Sequence, residues 1–187
     1  MTNAVYHLTK VLSQHHFDLI LNIGICGSYQ NNLNIGDIVH IEEEIFSDLG
    51  ATDAEGRFVD LKSMGFKFFD KDGVTYLNTI KNTNRFSEFS NYDISRIPSV
   101  KSTSVNTVNG DPSRIEAVRK QFDPMVENME GGAVAYVCIQ EGIPYFEFRA
   151  ISNYVEPRNK GNWNVPLACT NIQKFAINLI QDLKFKI

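Results

Sequence analysis

Over residues 3–15 the apolar positions Val5, Leu8 and Leu12 recur at helical spacing around the good helix former Ala4, so the chain is predicted to open in a helix. The pattern changes at 17–25, where FDLILNIGI is an almost unbroken apolar run. Such a run marks a strand covered on both faces of a parallel sheet. Its end, GICGS at 24–28, reads as a glycine-marked loop, and NIGD at 34–37 reads as a turn before a second strand over 38–45. Residues 50–99 mix Asp, Asn, Lys and Gly with short apolar pieces and predict a loop-rich excursion carrying one short strand and one short helix. The phenylalanines scattered from Phe58 to Phe86 argue against disorder there.

Regular patterning returns with the β-branched, alternating stretch 99–108, which predicts a strand. A helix over 112–122 follows, with Asp111 as its N-cap and Pro112 in the first helical position. A short strand at 125–129 leads into a helix over 130–141 that Gly142 closes, and 144–152 predicts another strand. The helix expected over 165–184 has apolar positions at Leu167, Ile172, Phe175, Ala176, Leu179, Ile180 and Leu183. Strands alternating with helices predict a single α/β domain over 1–187, a three-layer sandwich around a mostly parallel or mixed sheet. Ligands of such sheets bind beyond the carboxyl ends of the strands, which directs attention to 25–28, 108–111, 129–132 and 153–163.

Composition narrows the partners. With a formal net charge of -4 and no long Lys/Arg block, the chain lacks the basic footprint of a nucleic-acid binder, and a small-molecule or protein partner is expected. Cys26, Cys138 and Cys169 are widely spaced and fit neither a disulfide framework nor a zinc site, which points to a reducing cytoplasm. No stretch approaches the ~18 apolar residues of a membrane span, and the N-terminus has no export pattern. The histidines His7, His15, His16 and His40 show no metal-ligand spacing, and Glu42, Glu43 and Glu44 read as a solvated face.

Three places could carry chemistry. The two glycines of GICGS would let backbone amides approach a ligand, or would merely make a tight turn. Glu130 stands between a strand and a helix, followed by two glycines. There the helix dipole keeps a carboxylate ionised, either to accept ligand hydroxyls or to cap first-turn amides. The strand FRAISN ends in Ser152 and Asn153, and the Asn153 amide could read an oxopurine edge or end a strand. Arg149 inside that apolar strand needs a carboxylate or carbonyl partner, or contacts substrate. Tyr154 and Trp163 could stack on a flat base or pack their own loop.

Taken in order, LILNIGICGS with LNIGDIV, the corner Met129-Glu130-Gly131-Gly132-Ala133, and Arg149-Ala150-Ile151-Ser152-Asn153 resemble the nucleoside phosphorylase and nucleosidase superfamily. Within it, VNTVNG at 105–110, NMEG at 128–131, ISNYVEPRN and WNVPLA are most similar to the futalosine hydrolase family. The resemblance implies cleavage of the N-glycosidic bond of a purine nucleoside, futalosine, with release of hypoxanthine on a route to menaquinone. It implies no metal or organic cofactor and a homo-oligomer. Asn153 would stabilise the departing base and Glu130 would hold the ribose hydroxyls. Met129, Asn128, Ile25 and Gly27 would line the substrate, while Arg149 and Ser152 would orient the base-binding strand. A 6-oxopurine phosphorylase, a methylthioadenosine/adenosylhomocysteine nucleosidase and a non-catalytic nucleoside binder are the other readings. Family members carry strands before the first helix that supply the water-positioning glutamate, and MTNAVYHL resembles the segment after them, so weak hydrolysis is expected of the chain as it stands.

Overall fold

A computed structural model describes residues 1–157 and 159–184. Among them are four α-helices and ten strands in the order α1 (Thr2–Leu12), β1 (Ile20–Ser28), β2 (Ile38–Ile45), β3 (Gly50–Thr52), β4 (Phe58–Asp60), β5 (Phe69–Lys71), β6 (Val74–Tyr76), β7 (Thr79–Lys81), β8 (Ser99–Ser104), α2 (Pro112–Phe122), β9 (Val126–Asn128), α3 (Gly131–Glu141), β10 (Tyr145–Tyr154) and α4 (Val165–Gln181). Short 3-10 turns lie at Phe86–Glu88 and Lys160–Asn162.

The main sheet is mixed and runs β10-β1-β9-β8-β2-β7. β1 lies parallel to β10, β8 lies parallel to both β2 and β9, and β9 is antiparallel to β1. β10 also pairs antiparallel with β2 from Glu147↔Ile41 to Ala150↔Ile38, so five strands close into a ring with β7 appended. Inside the ring, Cys26, Val39, Ile41, Val100, Val126 and Ile151 form one buried cluster, with a side chain from each of the five strands. Alternation along β10 builds the outer layers, because successive strand residues face opposite sides. Phe146, Phe148 and Ala150 pack on Ala168, Ile172, Phe175 and Leu179 of α4, and Tyr145 packs with Ala135 and Cys138 of α3.

Several local expectations need correction. GICGS is not a loop but the last part of β1, since its residues pair with β10 and β9. β8 ends at Ser104 rather than continuing to 108, because β9, one of its two partners, is only three residues long. The excursion at 50–99 holds five short strands and a 3-10 turn, with two separate hairpins, β3-β4 and β5-β6. On α4, Leu167 and Ile180 face outward at 39% and 49% exposure, and Ala168 takes the inward position. α2 forms as expected: the Asp111 side chain accepts from Arg114 N at 3.0 Å. No helix among the described residues is long and apolar enough to cross a membrane.

Candidate active site

All four segments expected at the carboxyl ends of strands meet around one cleft of about 280 Å³. Its wall comprises Ile25, Cys26 and Gly27 from β1, Val108 to Gly110 after β8, Glu127 to Glu130 at the β9-α3 corner, and Ser152 to Glu156 with Trp163. Burial pushes the Cys26 thiol far above its ordinary range, so it offers no thiolate nucleophile.

Asn153 owes its place to a β-bulge. The β1-β10 register passes from Cys26↔Ile151 to Gly27↔Asn153, leaving Ser152 as the extra residue. A bulge re-aims the side chains around it. Ser152 Oγ lies 3.1 Å from the Cys26 carbonyl and 2.7 Å from Asn153 Oδ1, and its single proton serves one of them. Asn153 Nδ2 donates to the Tyr154 carbonyl at 2.9 Å. One further N–H and a lone pair on Oδ1 remain for a ligand. The absence of a side chain at Gly27 keeps this space open, since a Cβ there would lie 3.0 Å from Asn153 Nδ2.

Glu130 is the N-cap residue of α3, yet its carboxylate makes no cap. That work is done by Asn128 Oδ1, which accepts from the Glu130 and Gly131 amides at 2.9 and 2.6 Å, and by Ser104 Oγ, which accepts from Gly132 at 2.6 Å. With its first-turn amides satisfied by others, Glu130 projects half-exposed at the cleft, where Met129 is also exposed. Asn128, itself on the cleft wall, also fixes the position of Glu130: its Nδ2 donates to Glu44 Oε1 and to Ser102 Oγ, each at 2.7 Å.

Arg149 lies beneath the cleft, 3% exposed, and not on its wall. Its Nε donates to Glu147 Oε1 at 2.7 Å, and its Nη1 stands 3.6 Å from Glu130 Oε2. The buried guanidinium thus has the carboxylate partner that its place in an apolar strand demands. Glu44 joins this group and is 2% exposed, which overturns its reading as part of a solvated face. Burial and the neighbouring Glu147 push its carboxyl up to about 8, against hydrogen bonds from Ser104 and Asn128 and the charge of Arg149.

Three acidic residues were missed by sequence reasoning: Glu44, Glu127 and Glu147. Glu147 stands two residues from Arg149 on the same face of β10, a spacing that could have pointed to it. Glu127 borders the cleft at 5% exposure, bonded by Tyr29 and Asn109. Of the motif at 151–159, Arg158 lies outside the described residues. Among the described residues no cluster of His, Cys, Asp and Glu is arranged to hold a metal ion.

Comparison with known proteins places these features. Residues 1–183 match the model of the phosphorylase superfamily. Futalosine hydrolase of Streptomyces coelicolor is 30% identical over 165 residues, 88% of this chain and 66% of that protein. The 5'-methylthioadenosine/S-adenosylhomocysteine nucleosidase of Geobacillus kaustophilus is 27% identical, over 81% of this chain and 62% of its own length. The chain therefore spans a little under two thirds of the length of these relatives. Among solved structures, futalosine hydrolase of Helicobacter pylori superposes with a TM-score of 0.76 at 16% identity, covering 96% of this chain and 75% of that one, which shows a shared fold.

Proposed function

The chain belongs to the phosphorylase superfamily, and on that premise we propose that it is the catalytic core of a purine nucleosidase that cleaves the N-glycosidic bond of a 6-oxopurine nucleoside, futalosine, to release hypoxanthine. The observation that carries this reading is the pairing, in one cleft, of the bulge-directed Asn153 amide with the uncapped Glu130 carboxylate. As the glycosidic bond lengthens, the sugar gains oxocarbenium character and the base gains negative charge. Asn153 has an N–H left to stabilise a leaving oxopurine at its N7 or O6. Glu130 accepts from ribose hydroxyls and places negative charge near the developing cation. Met129 packs on the sugar, and the Ile25-Gly27 segment leaves room for the base.

The names of the relatives, a hydrolase and a nucleosidase, support water rather than phosphate as the acceptor. The relatives named as adenine-nucleoside nucleosidases support the bond that is cleaved, while Asn153 supports the oxopurine as its base.

Release of hypoxanthine from futalosine and inosine, followed with and without phosphate, tests the reading. Hydrolysis independent of phosphate is expected. Asn153→Asp should lower kcat/KM on the oxopurine substrates by ~10- to 100-fold, the loss of one strengthened hydrogen bond in the transition state. Turnover only with phosphate, or equal rates for the variant and the parent, would overturn it.

A further inference from the structure

Gly27 stands between two cleft residues. On one side it pairs in parallel register with Asn153, and on the other, antiparallel, with Glu127. Residues opposed across neighbouring strands project from the same face of a sheet. Glu127, Gly27 and Asn153 therefore form one row across three strands, with no side chain at its centre. At about 4.8 Å per strand spacing, the outer Cα atoms are on the order of 10 Å apart, enough for the edge of a flat bicyclic base to lie over Gly27.

Glu127 is held in place from behind. The Tyr29 hydroxyl donates to Oε2 at 2.9 Å, the Asn109 side-chain amide donates to the same oxygen, and the Asn109 backbone N–H donates to Oε1 at 3.2 Å. Arg114 Nε in turn donates to Asn109 Oδ1 at 3.0 Å, fixing the amide. A carboxylate has about four acceptor positions. Oε1 has one long bond and keeps a lone pair in reserve. Burial lifts this carboxyl above its ordinary value, and the bonds from Tyr29 and Asn109 and the charge of Arg114 oppose the rise.

We infer that Glu127 is a specificity-determining residue: it accepts a ring N–H of the base, while Asn153 reads the other polar edge. The inference rests on the nucleosidase reading above and adds the selection of substrate class to it. A 6-oxopurine carries a hydrogen at N1, whereas a 6-aminopurine has a lone pair there. An acceptor-only carboxylate attracts the first and repels the second. Sites built to hydrogen-bond one group reject an analogue lacking it more strongly than apolar pockets reject a change of size.

Calorimetric binding of hypoxanthine, 1-methylhypoxanthine and adenine to the chain, to Glu127→Leu and to Glu127→Gln tests this. The parent chain is expected to bind hypoxanthine at least ~100-fold more tightly than either other base. Glu127→Leu should reduce the hypoxanthine-to-adenine ratio at least ~10-fold, and Glu127→Gln, whose carbonyl still accepts, should fall between. Equal losses for both bases would make Glu127 a support for the Asn109 loop only, and unchanged ratios in both variants would remove it from recognition; either result overturns the inference. If Glu127→Leu does not fold, as judged by circular dichroism, Glu127→Gln together with the 1-methylhypoxanthine comparison decides. A parent chain that binds no purine base overturns the nucleosidase reading and this inference with it, whereas loss of the base preference alone overturns only the inference.

Discussion

Glu44 is protonated in the folded chain over a range where the unfolded chain has lost that proton. Its carboxyl ordinarily ionises near 4.5 and is pushed up to about 8 here, first by burial and then by Glu147. The folded state binds the proton more tightly, so the stability this group contributes is complete below about 4.5 and is lost as pH rises through about 8. The melting temperature is expected to fall between those limits, and Glu44→Gln to flatten the fall, as scanning calorimetry across that range would show. An equal slope in the variant would place the effect on another group. Asn153 and Glu130 were legible in the sequence because each ends or begins an element. Glu44 was not, because its burial depends on partners 60 and 84 residues away, Ser104 and Asn128. Its neighbours in the chain, two further glutamates, describe a wet surface.

Helix α3 enters the fold over its first glycine. A Cβ at Gly131 would overlap the Glu44 carboxylate and crowd Glu147, and one at Gly24 would overlap the Arg149 guanidinium. The glycines are there to let a polar cluster pass between a strand and a helix, with little room to relax. Gly131→Ala is expected to destabilise by about 3 kcal/mol through overpacking of buried charged groups. Gly142, at the other end of the same helix, has φ +69 and nothing within reach of an added Cβ, so Gly142→Ala should cost only about 1 kcal/mol of backbone strain. Urea unfolding of the two variants compares them directly, and a reversed order would refute the crowding argument. Elements of eight or more residues with caps or long apolar runs were readable in advance: α2 from Asp111-Pro112, β2 from its turn, and β10 from its apolar run. The strands β3 to β7 were not, because three residues are too few to display a period; β3 to β6 take their pairing from hairpin partners and β7 takes its pairing from β2.

Across the molecule, β1 is unevenly supported along its length. It pairs with β10 along its whole length, but β9 reaches it only at Gly27 and Ser28, and residues 20–25 are only partly buried. The apolar run had predicted a strand covered on both faces. Among the described residues the edge of 20–25 facing away from β10 has no strand beside it. Backbone amides on that edge should exchange with deuterium far faster than those bonded to β10, giving partial protection of 20–25 against near-complete protection of 145–150. Uniform slow exchange through 20–25 would show that the edge is covered.

Because β10 closes the ring by pairing with both β1 and β2, it joins segments separated by more than a hundred residues of chain. Each such pairing must first meet the entropy of closing a long loop, which slows folding in proportion to the non-local character of the contacts. During synthesis, Gly27 and Glu130 emerge well before Asn153. The cleft is therefore a late event: no nascent chain has its full wall until Trp163 is clear of the ribosome. A ligand that binds there stabilises the folded chain over every state in which the last strand is not yet in place.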